Sequence, residues 1–278
     1  MSQPLRVLQQ EQLSSEATQL AAQHDLGAAT GDYKVVLNKE KRTYIIMGII
    51  GAIGLFALSG VFLVPTANFS ITVGLLCIAF ALLCLGMAIR YGTYPIRYKT
   101  WHIYTCDNGF IFSKEGKAEV FSWEQIESLW HRVTQHKSYG MNIGMTHKYT
   151  VRRTDGTTVI LDDKFENVDK LGDIINVAVI KVKMPQGLAA LSRGELINFG
   201  PISISQQGIT KGKELLPWDQ ARAVDVSGGY FIVNRHKQML SWAHIEVYNI
   251  PNALLLITLI RNLHTLPENG KGNGAQKS

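Results

Sequence analysis

Residues 44–64 read YIIMGIIGAIGLFALSGVFLV and residues 69–89 read FSITVGLLCIAFALLCLGMAI. Neither run holds a charged residue or a histidine, and only Pro65-Thr66-Ala67-Asn68 separates them. Runs of about twenty apolar residues make helices long enough to cross a hydrocarbon core of about 30 Å. A backbone in lipid has to satisfy its own hydrogen bonds. The expectation is therefore a transmembrane helical hairpin over residues 43–90, with spans at about 44–64 and 69–89.

Charge orients the hairpin. Lys34, Lys39, Lys41 and Arg42 precede the first run, Arg90, Arg97 and Lys99 follow the second, and the link carries none. The positive-inside rule places both termini and the tail in the cytoplasm of a multi-pass cell-membrane protein, with residues 1–42 as a cytoplasmic lead. The first run starts too far into the chain and is too long for a signal-peptide core. Cys77 and Cys84 lie in the second run and Cys106 stands alone, so no disulfide framework is expected, as suits a reducing compartment. The 278 residues carry a formal charge of +6 and are 46% apolar, ordinary for a globular body with one hairpin. Mild basicity suits a surface near anionic lipid, and equally an ordinary solvated one.

Small residues recur in the second run at Gly74, Cys77, Ala81, Cys84 and Ala88, a spacing of three and four that lets helix backbones approach closely. Gly48, Ala52 and Ser59 offer a matching face in the first run. The expected use is packing of the two helices on each other; the alternative is a homo-oligomer or contact with another membrane protein. The lack of Asp, Glu, Lys, Arg and His in both runs argues against a channel or transporter.

The tail repeats a pattern. Ile103-x-Thr105 leads through Asp107-Asn108-Gly109 to Ser122-Trp123-Glu124-Gln125-Ile126. Later, Ile202-x-Ile204 leads through Gly208 to Pro217-Trp218-Asp219-Gln220-Ala221. Each half then has strand patterns around a turn, at Asp155-Gly156 and at Gly228-Gly229, and closes with a helix, about 168–182 and 251–264. The expected fold class is α+β: the hairpin followed by two pleckstrin-homology-like units, residues 97–195 and 196–266, each a small antiparallel barrel or bent sheet closed by a helix. Trp123, Trp218 and Trp242 read as core or rim anchors. A weakly amphipathic stretch (Leu5, Leu8, Leu13, Ala17, Leu20) reads as a surface helix or partly disordered, and residues 267–278 as disordered.

No catalytic, zinc or nucleotide motif is present, so neither an enzyme nor a cofactor is expected. Asp162-Asp163 reads as capping and dipole complement for the helix that follows. His131, His136 and His147 lack an obvious carboxylate or thiolate partner for a metal. Two features are candidates for binding. The segment Lys137–Lys148, with Tyr139, Met141, Ile143 and Met145, reads either as a loop touching the bilayer interface or as a long hairpin over the barrel. The basic turns Lys211/Lys213 and Arg235-His236-Lys237 are candidates for anionic headgroups or an acidic protein partner, with solvated turns as the plain alternative. Nucleic-acid binding is not expected.

The stretches Trp123-Glu124-Gln125-Ile126-Glu127-Ser128-Leu129-Trp130, Arg193-Gly194-Glu195-x-x-Asn198-Phe199-Gly200-Pro201, Leu216-Pro217-Trp218 and Ile250-Pro251-Asn252 resemble an uncharacterised, domain-of-unknown-function family of bacterial membrane proteins. The resemblance covers most of the tail. It implies a short cytoplasmic lead, two spans and a β-rich tail, and brings no activity or binding residue with it. The functional expectation is a membrane-anchored, non-enzymatic binding or scaffold module. Its alternatives are a regulatory or structural subunit that meets partners through the hairpin, and an enzyme whose site follows no motif.

Overall fold

Two strands far apart in sequence frame the apolar helices. In the computed structural model, which describes residues 15–37, 39–63, 71–138, 141–238 and 240–263, helix α1 (Ser15–Gln23) leads to strand β1 (Ala29–Lys34). Then follow α2 (Lys39–Leu63), α3 (Ile71–Gly92), the single turn α4 (Tyr94–Arg97) and β2 (His102–Cys106). Strands β1 and β2 pair antiparallel, Lys34 opposite His102 and Ala29 opposite Cys106. The helices are thus an insertion between two hydrogen-bonded neighbours. Residues 29–34, within the segment read as a lead, form an edge of the first sheet.

Small side chains hold α2 against α3. Gly74, Ala81 and Ala88 are buried, with Cys77 and Cys84 half-buried. A Cβ on Gly48 would lie 3.0 Å from the Cys84 carbonyl oxygen and 3.1 Å from the Ala88 Cβ, so glycine sets this close approach. Buried Ser59 donates its hydroxyl to the Phe56 carbonyl at 2.6 Å. Outward residues such as Met47, Ile53, Phe56, Leu75 and Leu82 are exposed.

The first unit continues with β3 (Gly109–Lys114) and β4 (Lys117–Ser122), completing a four-stranded sheet in the order β1-β2-β3-β4. A 3-10 turn at Trp123–Gln125 leads into β5 (Ile126–Ser138), β6 (Met141–Arg153) and β7 (Thr158–Asp162), a second sheet of three. Helix α5 (Val168–Ser192) closes it, burying Leu171, Ile175 and Val179 against Phe110, Phe121, Tyr149 and Leu161. On the sheet's other side, Ala17 and Ala21 of α1 pack with Leu26, Tyr104 and Ile111.

The second unit starts with a sheet of four, β8 (Ile197–Phe199), β9 (Ile202–Ile204), β10 (Gly208–Lys211) and β11 (Glu214–Pro217). After a 3-10 turn at Trp218–Gln220 come β12 (Ala221–Ser227), β13 (Tyr230–Arg235) and β14 (Ser241–Glu246), then Val247–Asn249 as a further 3-10 turn and α6 (Ala253–Leu263). Ile202, Ile209, Leu216, Phe231, Val233, Leu256 and Leu259 form its core, joined by Leu191 from the far end of α5. Where the first unit carries the inserted helices, between β1 and β2, the second has only Gly200-Pro201 between β8 and β9.

Matching residues do matching work. The Trp123 indole donates to the Asp107 carbonyl at 2.9 Å and the Trp218 indole to the Ser205 carbonyl at 3.0 Å. A Cβ on Gly109 would strike the Phe121 carbonyl oxygen, and one on Gly208 that of Leu216. The turn glycines Gly228 and Gly229 both take positive φ, as tight hairpins of this hand require.

Two expectations need correction, and one choice between alternatives is resolved. The closing helix of the first unit does not stop near residue 182 but runs through Pro185 to Ser192, with both halves anchored in buried cores. Of the two readings of the 137–148 segment, the backbone agrees with the hairpin: among the described residues β5 and β6 pair as a ribbon, Thr134 opposite Thr146 and Lys137 opposite Asn142. Asp162 and Asp163 do not cap α5, whose N-cap is Asn167; Asp162 accepts from the Lys164 amide, and Asp163 accepts from the His147 amide at 2.8 Å. Residues 1–14 of the amphipathic stretch, the link 65–68, Tyr139 and the tail 267–278 lie outside the described residues. Three helices are long and apolar enough to cross a membrane: α2 over Lys41–Val61, α3, and α5.

Candidate anion-binding groove

The basic turns of the second unit are neighbours, but two of their cations are already engaged. Lys211 Nζ donates to the Trp242 carbonyl at 2.7 Å and lies 5.3 Å from the centre of that indole. Arg235 donates to Gln220 Oε1 at 2.6 Å and approaches Glu214 at 3.8 Å. Those contacts tie the β10–β11 and β13–β14 turns together, leaving Lys213, His236 and Lys237 exposed at one end of the unit. Lys237 holds a positive φ of 62°, a turn geometry that also explains its place there. Of the ribbon residues, Met141, Ile143 and Met145 belong to β6, and Met145 is about half exposed.

The three histidines divide. His131 Nε2 and His147 Nδ1 are 3.1 Å apart, while His136 bonds Thr146 Oγ1 instead. Burial first, and then the charge of His147, pushes the His131 pKa down to about 4, so it is neutral at pH 7. His131 also stacks on Tyr149 at 4.1 Å. Among the described residues no group of three His, Cys, Asp or Glu side chains is placed to hold a metal.

Another cationic site lies on the outer face of the β5–β6 ribbon. Between two bulges, the ribbon's register sets Arg132 directly opposite Lys148, with Trp130 opposite Thr150 on the same face. Like charges opposed across a ladder destabilise it by up to about 1 kcal/mol. None of the ion pairs among the described residues uses either one. Arg132 is steadied from the second unit, its guanidinium carbon 4.0 Å from the centre of the Tyr248 ring. Glu246, hydrogen-bonded to the Tyr248 hydroxyl, raises that tyrosine's pKa.

Two concavities meet at this pair. The upper, of about 300 Å³, is lined by Trp130, Arg132, Lys148, Thr150 and Tyr248, with two cations and no carboxylate. The lower, of about 390 Å³, adds Lys41, Lys164, Asp162 and Asp163. Asp162 pairs with Lys164 at 3.0 Å, and Asp163 accepts the His147 amide, so both carboxylates are engaged. The groove therefore runs from the junction of the two units to the start of α2. In sequence Lys41 and Lys148 were noted only as bases flanking the first apolar run and the 137–148 segment, because only the hairpin register opposes Arg132 and Lys148. A bulge between His136 and Lys137 shifts the register by one, so counting back from the turn would have set Arg132 opposite His147 instead.

Fold and groove together define an α+β chain of two strand-and-helix units, with apolar helices set into the first and a cationic groove beside them. The chain belongs to the family of unknown function DUF6585, whose model matches residues 1–268, in line with the resemblance read from its motifs. No curated protein and no solved structure matches it.

Proposed function

We propose that this is a membrane-anchored, non-enzymatic binding module. In this reading α2 and α3 cross the membrane as a hairpin, and two copies of one pleckstrin-homology-like unit sit with both termini on the cytoplasmic side. The observation that carries it is the pairing of β1 with β2 across the helix insertion, which favours both ends of the helix pair lying on one side. Aromatic side chains support the level of the interface: Tyr44 stacks on Tyr91 at 5.5 Å, and Tyr94, Tyr98 and Trp101 form a ladder beneath them. Lys41 lies 3.6 Å from the Tyr94 ring centre, as a cation at a helix end does when it reaches for headgroups.

Helix α5 fits the soluble part on this reading, since Leu171, Ile175, Val179 and Leu191 are buried among strands and it carries Asp169, Lys170, Asp173, Lys181 and Lys183. The copied unit is supported by the paired tryptophans and glycines and by the same four-plus-three strands and closing helix. Binding is assigned to anionic groups at the inner face, with an acidic protein partner as the competing occupant.

Single cysteines test the topology. In a chain with Cys77, Cys84 and Cys106 replaced by alanine, Asn68→Cys should react with an impermeant maleimide in intact cells. Ser227→Cys should react only after permeabilisation. Labelling of both from the same side would overturn the two-span arrangement.

A further inference from the structure

We propose that the groove centred on Arg132 and Lys148 binds a phosphate group, either of an anionic lipid headgroup or of a soluble phosphate ester. The inference names the ligand chemistry of the binding module described above, and its lipid source rests on that membrane reading; the phosphate chemistry does not.

Four observations converge. Arg132 and Lys148 are opposed on one face of a ribbon, where their mutual repulsion is relieved by an anion between them. The upper concavity they line contains no carboxylate, and Thr150 adds a hydroxyl donor. Its volume of about 300 Å³ equals roughly ten water molecules, room for a phosphate ester and part of its alcohol. Arg132 is already oriented by the Tyr248 ring, so its planar fork loses little freedom on meeting two phosphate oxygens.

The position chooses among anions. The lower concavity reaches Lys41, three residues before the first apolar run, so on the membrane reading the groove opens at the depth of headgroup phosphates. Lys164 and Lys41 extend the positive field in that direction. The acids there are Asp162, paired with Lys164, and Asp163, bonded to the ribbon backbone. A carboxylate-rich protein would meet the same charge, but the upper concavity holds one compact anion better than a flat acidic surface.

Lysine acylation of the full chain, read by mass spectrometry, tests the site, with exposed Lys213 as the internal reference. One arm uses nanodiscs of phosphatidylcholine, a second adds phosphatidylglycerol, and a third adds glycerol 3-phosphate to the neutral discs. A charge-assisted contact at Lys148 should slow its acylation roughly tenfold with Lys213 unchanged. Arg132→Gln, a change on an exposed strand face that leaves the backbone ladder intact, should remove most of that protection. Slowing by phosphatidylglycerol alone assigns the lipid source; slowing by glycerol 3-phosphate assigns a soluble ester. No slowing in either arm, or equal slowing of Lys148 and Lys213, overturns the site. The glycerol 3-phosphate arm repeated in detergent, without a bilayer, keeps its answer even where the cysteine labelling rejects the two-span arrangement.

Discussion

The side chain of Asn252 stands in for a strand beside Leu129. Its Oδ1 accepts from the Leu129 amide at 2.9 Å, its own amide donates to the Leu129 carbonyl at 2.8 Å, and its Nδ2 reaches the Glu127 carbonyl at 3.0 Å. The second unit thereby finishes the open edge of β5, next to the point where Tyr248 meets Arg132. Asn252 also holds a φ of +52°, which asparagine and glycine tolerate best.

Replacing Asn252 by glycine keeps that backbone freedom and deletes the two side-chain bonds. A loss of about 1–3 kcal/mol is expected, together with faster hydrogen exchange at the Leu129 amide. Exchange at Leu129 equal to that of the parent chain would show that the edge is held by other contacts.

Gly172 touches the ring of Tyr149 so closely that an added Cβ would overlap it. Gly172→Ala should destabilise the full chain by roughly 1–3 kcal/mol, by forcing α5 off β6. Tyr149→Leu in the same chain should recover part of the loss, a coupling that a double-mutant cycle of unfolding free energies measures. Strict additivity would mean that the helix yields elsewhere.

Two histidines should bend the pH profile in opposite directions. The hydrogen bond that His102 Nδ1 donates to Asp32 Oδ1, 3.1 Å away, raises the His102 pKa despite partial burial. Its stabilising effect is complete below the ordinary imidazole value of about 6.5 and fades as pH climbs through the raised folded value. His131, held down to about 4, acts the other way: its contribution is present above about 6.5 and fades as pH falls toward 4. Urea midpoints against pH should lose their alkaline slope in His102→Gln and their acid slope in His131→Gln.

The helix insertion should be removable. Joining Lys34 to His102 through Gly-Pro, the two-residue solution the second unit uses, should give a chain that folds without detergent. It forfeits the edge contact of Trp101 with Phe112, centroids 5.9 Å apart, worth about 0.5–1.5 kcal/mol beyond area. Circular dichroism and size exclusion in plain buffer decide the matter; aggregation would show that the helices are needed for the sheet to close.

What could be read from the sequence was what depends on near neighbours. The two apolar runs announce themselves because length and composition alone mark helices long and apolar enough to cross a membrane. The Trp and Gly positions stood out because the same local hairpin demands them twice. Strand β1 was missed because ATGDYK carries no alternating apolar pattern, and its partner lies some seventy residues away across the helices. The apolar pattern ended the first closing helix near residue 182, and α5 runs on past Pro185 because Val179 before and Leu191 after are fixed in different cores. Lys211 and Arg235 looked like open binding charges; only tertiary structure shows them turned onto Trp242 and Gln220. The groove itself depends on strand register and on Tyr248, more than a hundred residues beyond Arg132.

The insertion of α2 and α3 between β1 and β2 ties the helix pair to the sheet at both of its ends. A domain hung on a flexible tether can tumble and sample many poses; this one is steered through two adjacent strands at once. A tilt of the helix pair would bear on both of these neighbouring strands, and α5, anchored in both cores, ties the first unit to the second. The protein is thus built less like a buoy on a line than like a hand on a wrist, presenting one chosen face at one chosen angle.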